Sequence, residues 1–545
     1  MATLASGMPP GQNAKVSGNT TLAGTTSINA LWGTAGVISG TGTLDVTGGA
    51  IVCNVGYTIG NSVLAFGAAE GEINVANART LTINSMISGS GGLTICLENY
   101  NGNNASLVLG GSNTYSGVTT IEGNSPSLVV TLTNGFAFQD TTLNYNSYGA
   151  SFQFGAGAAQ ITSATLGGLE GAQNLALVNA GSGGGGVALT VGGDGDNTIY
   201  SGVLSGAGGI VKTGTGTLAL TGTCTCTGTT SVTSGVLSVT GSLASPVSVA
   251  AGGTLAGTGS IGGAASVAGG GILAPAGTFT FNGPLALQGG SAIAVALSGT
   301  PGQIAVNGTY SGPASGVVTV NVSSVGGAGA YSLITGASGI SAASFQLGAM
   351  PAGYTYALTA TNGTLSLAAS VPPAPTGLAA TPGTGEVALS WNASSGATSY
   401  DVQRTLTSGS GYTLIASLVS GTSYTDASVS NGTTYYYVVS AVNNGGEGPN
   451  SAEVSAIPSV AIGGAETTPP AIVISGGGAN TNLALTIQSS VIGHTYQVQY
   501  SSNLVSGSWT NVGLPQAGTG SNLVINMPVN SSSVSFGFYR ILIQQ

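Results

Sequence analysis

The sequence predicts an all-β chain: a right-handed parallel β-helix (β-solenoid) followed by two β-sandwich domains. Three observations carry this. Glycine accounts for 95 of 545 residues and charged residues for only 4%, against roughly 25% in an average soluble protein. From about residue 19 to 369, short runs of Val, Ile, Leu and Thr alternate with Gly-containing turns at period two, as in "GTGTLALTGT". Two long segments of that region also repeat each other. Disorder is excluded, because a chain that is 42% hydrophobic with a net charge of −10 has apolar surface to bury.

Residues 1–18 read as a lead segment and 19–369 as the solenoid. In a parallel β-coil each rung pairs with the rungs above and below at about 4.8 Å, so backbone pairing supplies much of what bulky side chains supply elsewhere. Gly then serves the corners, inward Val, Leu, Ile and Ala stack, and outward Thr and Ser solvate the faces without charge. At about 20 to 25 residues per rung the segment gives about 14 to 17 rungs, a rod.

The repeats are "SGSGGLTICLENYNGNNASLVLGGSNTYSGVTTIEG" (88–123) and "SGAGGIVKTGTGTLALTGTCTCTGTTSVTSG" (205–235), each a Ser-Gly-x-Gly-Gly turn, two strands and a Gly-rich turn into a Thr-rich strand. They resemble the autotransporter-associated β-strand repeat of bacterial passenger domains. Leu218, Leu220, Gly222, Gly228 and Val232 fit that pattern, and Lys212 occupies its customary lysine. "VAAGGTLAGTGSIGGAASVAGGGILAPAG" (248–276) is similar to the closing rungs of such passengers. Two departures stand out. Asn113 and Tyr115 of the first copy are replaced by Cys224 and Cys226 in the second, and no membrane β-barrel follows, so the resemblance implies a passenger-like rod but no export route.

"VPPAPTGLAATPG" marks a boundary, and residues 370–458 form the next domain, of which 373–458 resemble a fibronectin type III domain. Trp391 falls on its second strand and Tyr400 and Val402 on its third. Tyr435, Tyr437, Val439 and Ala441 share one face near its end, with Tyr435 at the position of the tyrosine corner. A linker at 459–470 leads to a C-terminal sandwich module at 471–545, where Tyr496, Val498 and Tyr500 alternate inward and "SFGFYRILIQQ" supplies a last strand. It resembles the C-terminal modules of large secreted bacterial proteins.

Composition excludes several functions. Lys15, Arg79, Lys212, Arg404 and Arg540 are the whole basic complement, too few to neutralise a phosphate backbone, so nucleic acid is not a partner. No run of about 18 apolar residues exists, so no membrane-spanning helical segment is expected. Met1 to Asn13 has neither the basic region nor the apolar run of a signal peptide. Residues 213–385 contain no Asp, Glu, Lys, Arg or His and therefore no ordinary general acid or base.

The remaining solenoid acids are Asp45, Glu70, Glu72, Glu98, Glu122, Asp140, Glu170, Asp194 and Asp196. Glu70 and Glu72 have the spacing of a carboxylate pair on one strand face, against the plainer reading of solvated charge beside a turn. "GGDGDNT" sets Asp194, Asp196 and Asn197 in one turn, oxygen ligands for calcium or simply turn formers. "GTGSIG" (Gly257 to Gly262) matches a dinucleotide fingerprint by letters alone, with no helix after it. Cys224 and Cys226 point the same way as buried small hydrophobes, with stacking or metal capture as the other readings. His494 is the one histidine, with Asp426, its nearest Asp, in another domain, so no Ser-His-Asp triad is expected. Trp32, Trp391 and Trp509 could stack on sugars, but Trp391 and Trp509 read as sandwich core.

The expectation is thus no catalytic, cofactor-binding or metal-binding residue and no cofactor. The function expected is a non-enzymatic extracellular or cell-surface structural and adhesive protein. Its rod displays sandwich modules, engages surface polysaccharide or a host or neighbouring cell surface, and self-assembles into fibres or a surface layer through unpaired rung ends. The alternative is a secreted polysaccharide-active or polysaccharide-binding protein, since fibronectin-type modules accompany such enzymes.

Overall fold

A computed structural model describes residues 1–97, 104–123, 128–146, 150–352, 354–459, 472–475, 483–488, 490, 492–501, 509–527 and 538–544. Glu98 and nearly all of the expected 459–470 linker lie outside the described residues. The chain divides into two compact units. One comprises Met1–Ala380, Leu389–Tyr424 and Tyr435–Ser455; the other comprises Thr381–Ala388, Thr425–Thr434 and Ala456–Gln545.

In the first unit the chain coils as a parallel β-solenoid of about 13 turns. Pairing begins at Ala2–Thr3, whose residues face Ala14 and Lys15 of the next rung. Three ladders run through the later rungs, and each has a column of inward side chains. One column is Val232, Val249, Val267 and Leu287; the second is Leu237, Leu255, Leu273 and Ile293; the third is Cys224, Leu243, Ile261, Phe281 and Val306. All are buried. Fully burying one such aliphatic side chain contributes about 1.5–3 kcal/mol, and each rung adds three or more.

The rungs are uneven in length. Leu237, Leu255 and Leu273 are 18 residues apart, whereas Gly171 pairs with Tyr200, 29 residues on. A long rung, in which Phe138 pairs with Leu166, 28 residues on, holds three phenylalanine rings: Phe138 stacks on Phe152 at 5.8 Å, and Phe154 meets Phe152 edge-on at 5.3 Å. Larger side chains need a longer perimeter around them.

In one ladder the last parallel strand does not end as a bare parallel edge. Gly329–Thr335 pairs antiparallel with Thr364–Ser370, which pairs antiparallel with Thr355–Thr361. The hairpin turns at Asn362 and Gly363, with φ of 49° and 75°, the two positive values that a type I′ turn requires. Asn is among the few side chains that tolerate this region, and Gly has no Cβ to clash.

The fibronectin type III-like strands follow in the order Ala379–Pro382, Val387–Ser390, Ser399–Thr405, Thr413–Val419, Ser423–Asp426, Tyr435–Asn443 and Gly446–Asn450. Within the first unit, Thr413–Val419, Ser399–Thr405, Tyr435–Asn443 and Gly446–Asn450 form one antiparallel sheet in that spatial order. As expected, Tyr435, Tyr437, Val439 and Ala441 are buried, and Trp391 packs edge-on against Tyr400 at 5.4 Å. This sheet meets the solenoid cap directly. Asn443 Nδ2 donates to the Ser370 carbonyl at 3.1 Å, and a Cβ on Gly448 would overlap the carbonyl oxygen of Pro372.

In the second unit, Ile472–Ser475, Leu483–Ile487 and Leu523–Met527 form one antiparallel sheet, and Thr510–Ala517, Thr495–Ser501 and Phe538–Gln544 form another. Leu485 and Ile525 of the first meet Val498, Val512 and Ile541 of the second, which is the core of a small sandwich. Tyr496 and Val498 are buried as the alternation predicts, and Tyr500 is half-buried against Tyr539 at 5.1 Å.

Candidate functional site

Where the charged residues go is the first question for any site. The carboxylates are turned to hydroxyl groups. Asp45 Oδ2 accepts from Ser27 Oγ at 3.0 Å, Glu70 Oε1 from Thr94 Oγ1 at 2.5 Å and Asp194 Oδ2 from Thr142 Oγ1 at 2.5 Å. In the fibronectin-like sheet, Glu453 accepts from Ser408 Oγ at 2.6 Å, the Gly409 amide at 2.8 Å and the Tyr412 hydroxyl, and these donors hold its carboxyl below the usual range.

Glu70 and Glu72 are both exposed. Glu70 precedes the strand Gly71–Val75 and is tied to Thr94, while Glu72 faces out between Ala50 and Thr94 in the ladder. The turn at Asp194 and Asp196 is knit by its own bonds: Asp194 Oδ1 accepts from the Asp196 amide at 3.1 Å, and Asn197 Oδ1 from the Thr217 amide of the next rung at 2.8 Å. Its oxygens satisfy backbone donors across rungs, the role of an Asx turn. Asp426 is buried and accepts from the Ser428 amide and hydroxyl at 3.0 and 2.7 Å. The His494 carbonyl accepts from the Gly518 amide at 2.7 Å.

Lys212 is the most unusual polar residue of the solenoid. It is 1% exposed, and its stem stacks in a core column between Val191 and Val232. Its Nζ donates to the Thr213 and Gly214 carbonyls, closing the turn that follows it. Glycine makes the room: a Cβ on Gly192 or on Gly235, in the rungs on either side, would lie 2.9 Å from Nζ. Burial pushes the Lys212 ammonium down from its ordinary range, and nearby Asp194 acts the other way. The customary lysine of the repeat is therefore a turn clamp that snorkels within the stack.

The Asn113 and Tyr115 pair does equivalent work in the first copy. Both are buried. Asn113 Oδ1 accepts from the Ile87 amide of the preceding rung at 2.8 Å, and Nδ2 donates to the Ala137 carbonyl of the following rung at 2.8 Å. Tyr115 shares a hydrogen bond with Thr119 at 2.6 Å, and Thr119 shares one with Thr141 at 2.9 Å.

In the second copy the Thr225 and Cys226 amides both donate to the Leu204 carbonyl, at 2.8 and 3.0 Å, as the Thr114 amide does to the Ile87 carbonyl in the first, and the Leu204 backbone bonds the Cys224 thiol. Cys224 and Cys226 are free, buried thiols, and burial pushes Cys226 up to about 11. The sequence reading left these clamps unassigned, although the fixed offset of Asn113 after "LGGS" was a signal.

The two tryptophans expected in sandwich cores have different surroundings. Trp391 is core, as expected. Trp509 is not: it is half-buried, with the Arg540 guanidinium 4.4 Å above its ring. The inward positions of that sheet are taken by Val498, Val512 and Ile541, so the ring lies with the outward set.

Similarity to known proteins follows these elements. The passenger-associated-transport-repeat family model matches residues 103–123 and 210–239, the two repeats that hold Asn113 and Lys212. The chain is 31% identical over 182 residues to the adhesin BmaC autotransporter of Brucella suis biovar 1 (strain 1330), which covers 33% of this chain and 5% of that protein. It is 42% identical over 95 residues to an amylopullulanase of Thermoanaerobacterium saccharolyticum, 17% of this chain and 7% of the enzyme, in a fibronectin type III-like segment only. A solved Fn3-like protein from Clostridium thermocellum is 50% identical, covering 16% of this chain and 92% of that one, with a TM-score of 0.15. The chain thus spans between 5% and 7% of the length of these curated relatives. It carries passenger-type repeats within a β-solenoid and a fibronectin type III-like domain.

Proposed function

We propose that this chain is a non-enzymatic structural and adhesive protein of the bacterial cell surface or extracellular space. In this reading residues 1–18, which carry the first paired strands, open the solenoid that continues through 19–369, residues 370–458 and 471–545 are displayed modules, and 459–470 links them. The observation that carries it is the likeness to an autotransporter adhesin over 182 residues, together with the two matches to the passenger-type repeat. The chemistry agrees: Glu70, Asp194 and Glu453 are bonded to Thr, Ser and Tyr hydroxyls, and residues 213–385 have no carboxylate at all. Those uncharged rungs also lack the repulsion that would oppose lateral association of copies, so assembly into fibres or a layer belongs to the same proposal.

The test uses the full chain coated on beads. Attachment to bacterial or host cells above uncoated beads, with no release of reducing ends from neutral or acidic polysaccharides, is the expected result. Turnover of a polysaccharide, or attachment no better than the uncoated control, refutes it.

A further inference from the structure

We propose that the outer face of the C-terminal sheet formed by Thr495–Ser501, Thr510–Ala517 and Phe538–Gln544 binds a carboxylate-bearing polysaccharide, with Arg540 as the anion contact. This deepens the adhesive reading and rests on it for its biological setting.

Charge is the first argument. Residues 471–545 contain no Asp or Glu, and Arg540 is their one Lys or Arg, in a chain whose net charge is −10. Arg540 therefore has no side-chain carboxylate within its own module. All Asp and Glu side chains lie before residue 471, so none within this module repels an acidic polymer.

Geometry is the second. Gln499 sits opposite both Arg540 and Asn511 on the flanking strands. Their neighbours Val498, Ile541 and Val512 turn into the core, so by alternation this row turns away from it. Arg540 Nε donates to Gln499 Oε1 at 2.8 Å, and Gln499 Nε2 donates to Asn511 Oδ1 at 2.8 Å. The guanidinium lies over the Trp509 ring at 4.4 Å. Stacking and the Nε bond fix the plane of the fork before any ligand arrives. Among the described residues its two terminal nitrogens have no hydrogen-bond partner, and they are spaced for the two oxygens of one carboxylate.

The surroundings favour a sugar over other carriers of that group. Phe538 is 47% exposed and Leu542 37% exposed, one on each side of Arg540 on the same face, offering apolar contact to the C–H faces of pyranose rings. The exposed Asn511 and half-buried Gln499 amides present donors and acceptors suited to hydroxyls.

The experiment immobilises the full chain and titrates it with polygalacturonate, with its methyl-esterified form, with dextran and with dextran sulfate. Binding to polygalacturonate that falls on esterification, is absent for dextran and is weaker for the tetrahedral sulfate is expected. Arg540→Ala should weaken it by about ten- to a hundredfold, and Arg540→Lys, which keeps the charge but loses the fork, should restore only part. Circular dichroism of both variants must match the parent. Equal binding by Arg540→Ala, equal binding of the esterified polymer, or self-association abolished by Arg540→Ala overturns the proposal. Absent polygalacturonate binding with bead attachment intact overturns this site and leaves the adhesive reading standing; the converse overturns only the latter.

Discussion

Replacing Asn113 by Leu removes a rung clamp while keeping the side-chain volume nearly constant, so cavity formation hardly enters the outcome. Two buried bonds of 2.8 Å are lost, leaving the Ile87 amide of one rung and the Ala137 carbonyl of another without their partner. Each orphaned buried group costs about 1–3 kcal/mol, so the local stability should fall by about 2–6 kcal/mol. Because each rung contacts only its neighbours, the loss should stay local.

The assay is native-state hydrogen exchange read by mass spectrometry. At about 1.4 kcal/mol per tenfold, peptides covering 84–95 and 132–145 should exchange from about thirtyfold to ten-thousandfold faster, with peptides beyond residue 213 unchanged. The matched control is Cys224→Ser, at the equivalent position of the second copy. There the Leu204 backbone bonds the Cys224 thiol, and a Ser hydroxyl keeps that bond, so no backbone partner is lost. Unchanged exchange near Ile87 in Asn113→Leu, or equal acceleration around Leu204 in the control, would refute the clamp.

Three further outcomes are expected. Burial raises the Cys53 and Cys226 thiols from 9.0 to about 11 and the Tyr310 hydroxyl from 10.0 to about 12. Between pH 9 and 12 the folded chain therefore holds protons that the unfolded chain has released, so stability is complete below pH 9 and declines as pH rises through that window. Lys212, lowered by burial, changes stability in the opposite sense but is one group against the several that burial raises; thermal midpoints at pH 8, 9, 10 and 11 that do not fall would contradict this. A thiol reagent should modify at most one of the four cysteines in the native chain, since Cys53, Cys224 and Cys226 are buried and Cys96 is partly accessible, and all four in denaturant; rapid native reaction of two or more is the adverse result. Gly448→Val should force the strand Gly446–Asn450 off the Pro372 carbonyl, and limited proteolysis should then cut at 371–378 at least about tenfold faster, whereas an unchanged rate would show the contact to be dispensable.

How much of this was legible in the sequence follows from which forces are local. Period-two alternation and Gly corners are local, so the solenoid, its inward columns and the Tyr435 to Ala441 face could be read directly. The role of Lys212 was not legible, because it depends on Gly192 and Gly235, each about a rung away in sequence. Asn113 escaped for the same reason, with its partners 26 and 24 residues off at Ile87 and Ala137. Trp509 was assigned to the core because an aromatic residue in a sandwich usually is core. Its place on the outward set depends on which strand lies beside it, and register across 30 residues is not written in local pattern. The unequal rungs likewise reflect aromatic packing that composition does not order.

The central claim is that hydrogen-bonded ladders and uncharged stacked columns, rather than ionic contacts, hold the solenoid. Thermal unfolding of the full chain at neutral pH, followed at NaCl from 0.02 to 1 M, tests it most directly, because salt screens charge pairs and leaves backbone pairing almost untouched. The account predicts a midpoint that moves by no more than about 2 °C. A fall of about 5 °C or more over the same range would show that ionic interactions carry the stability, and the account would be wrong.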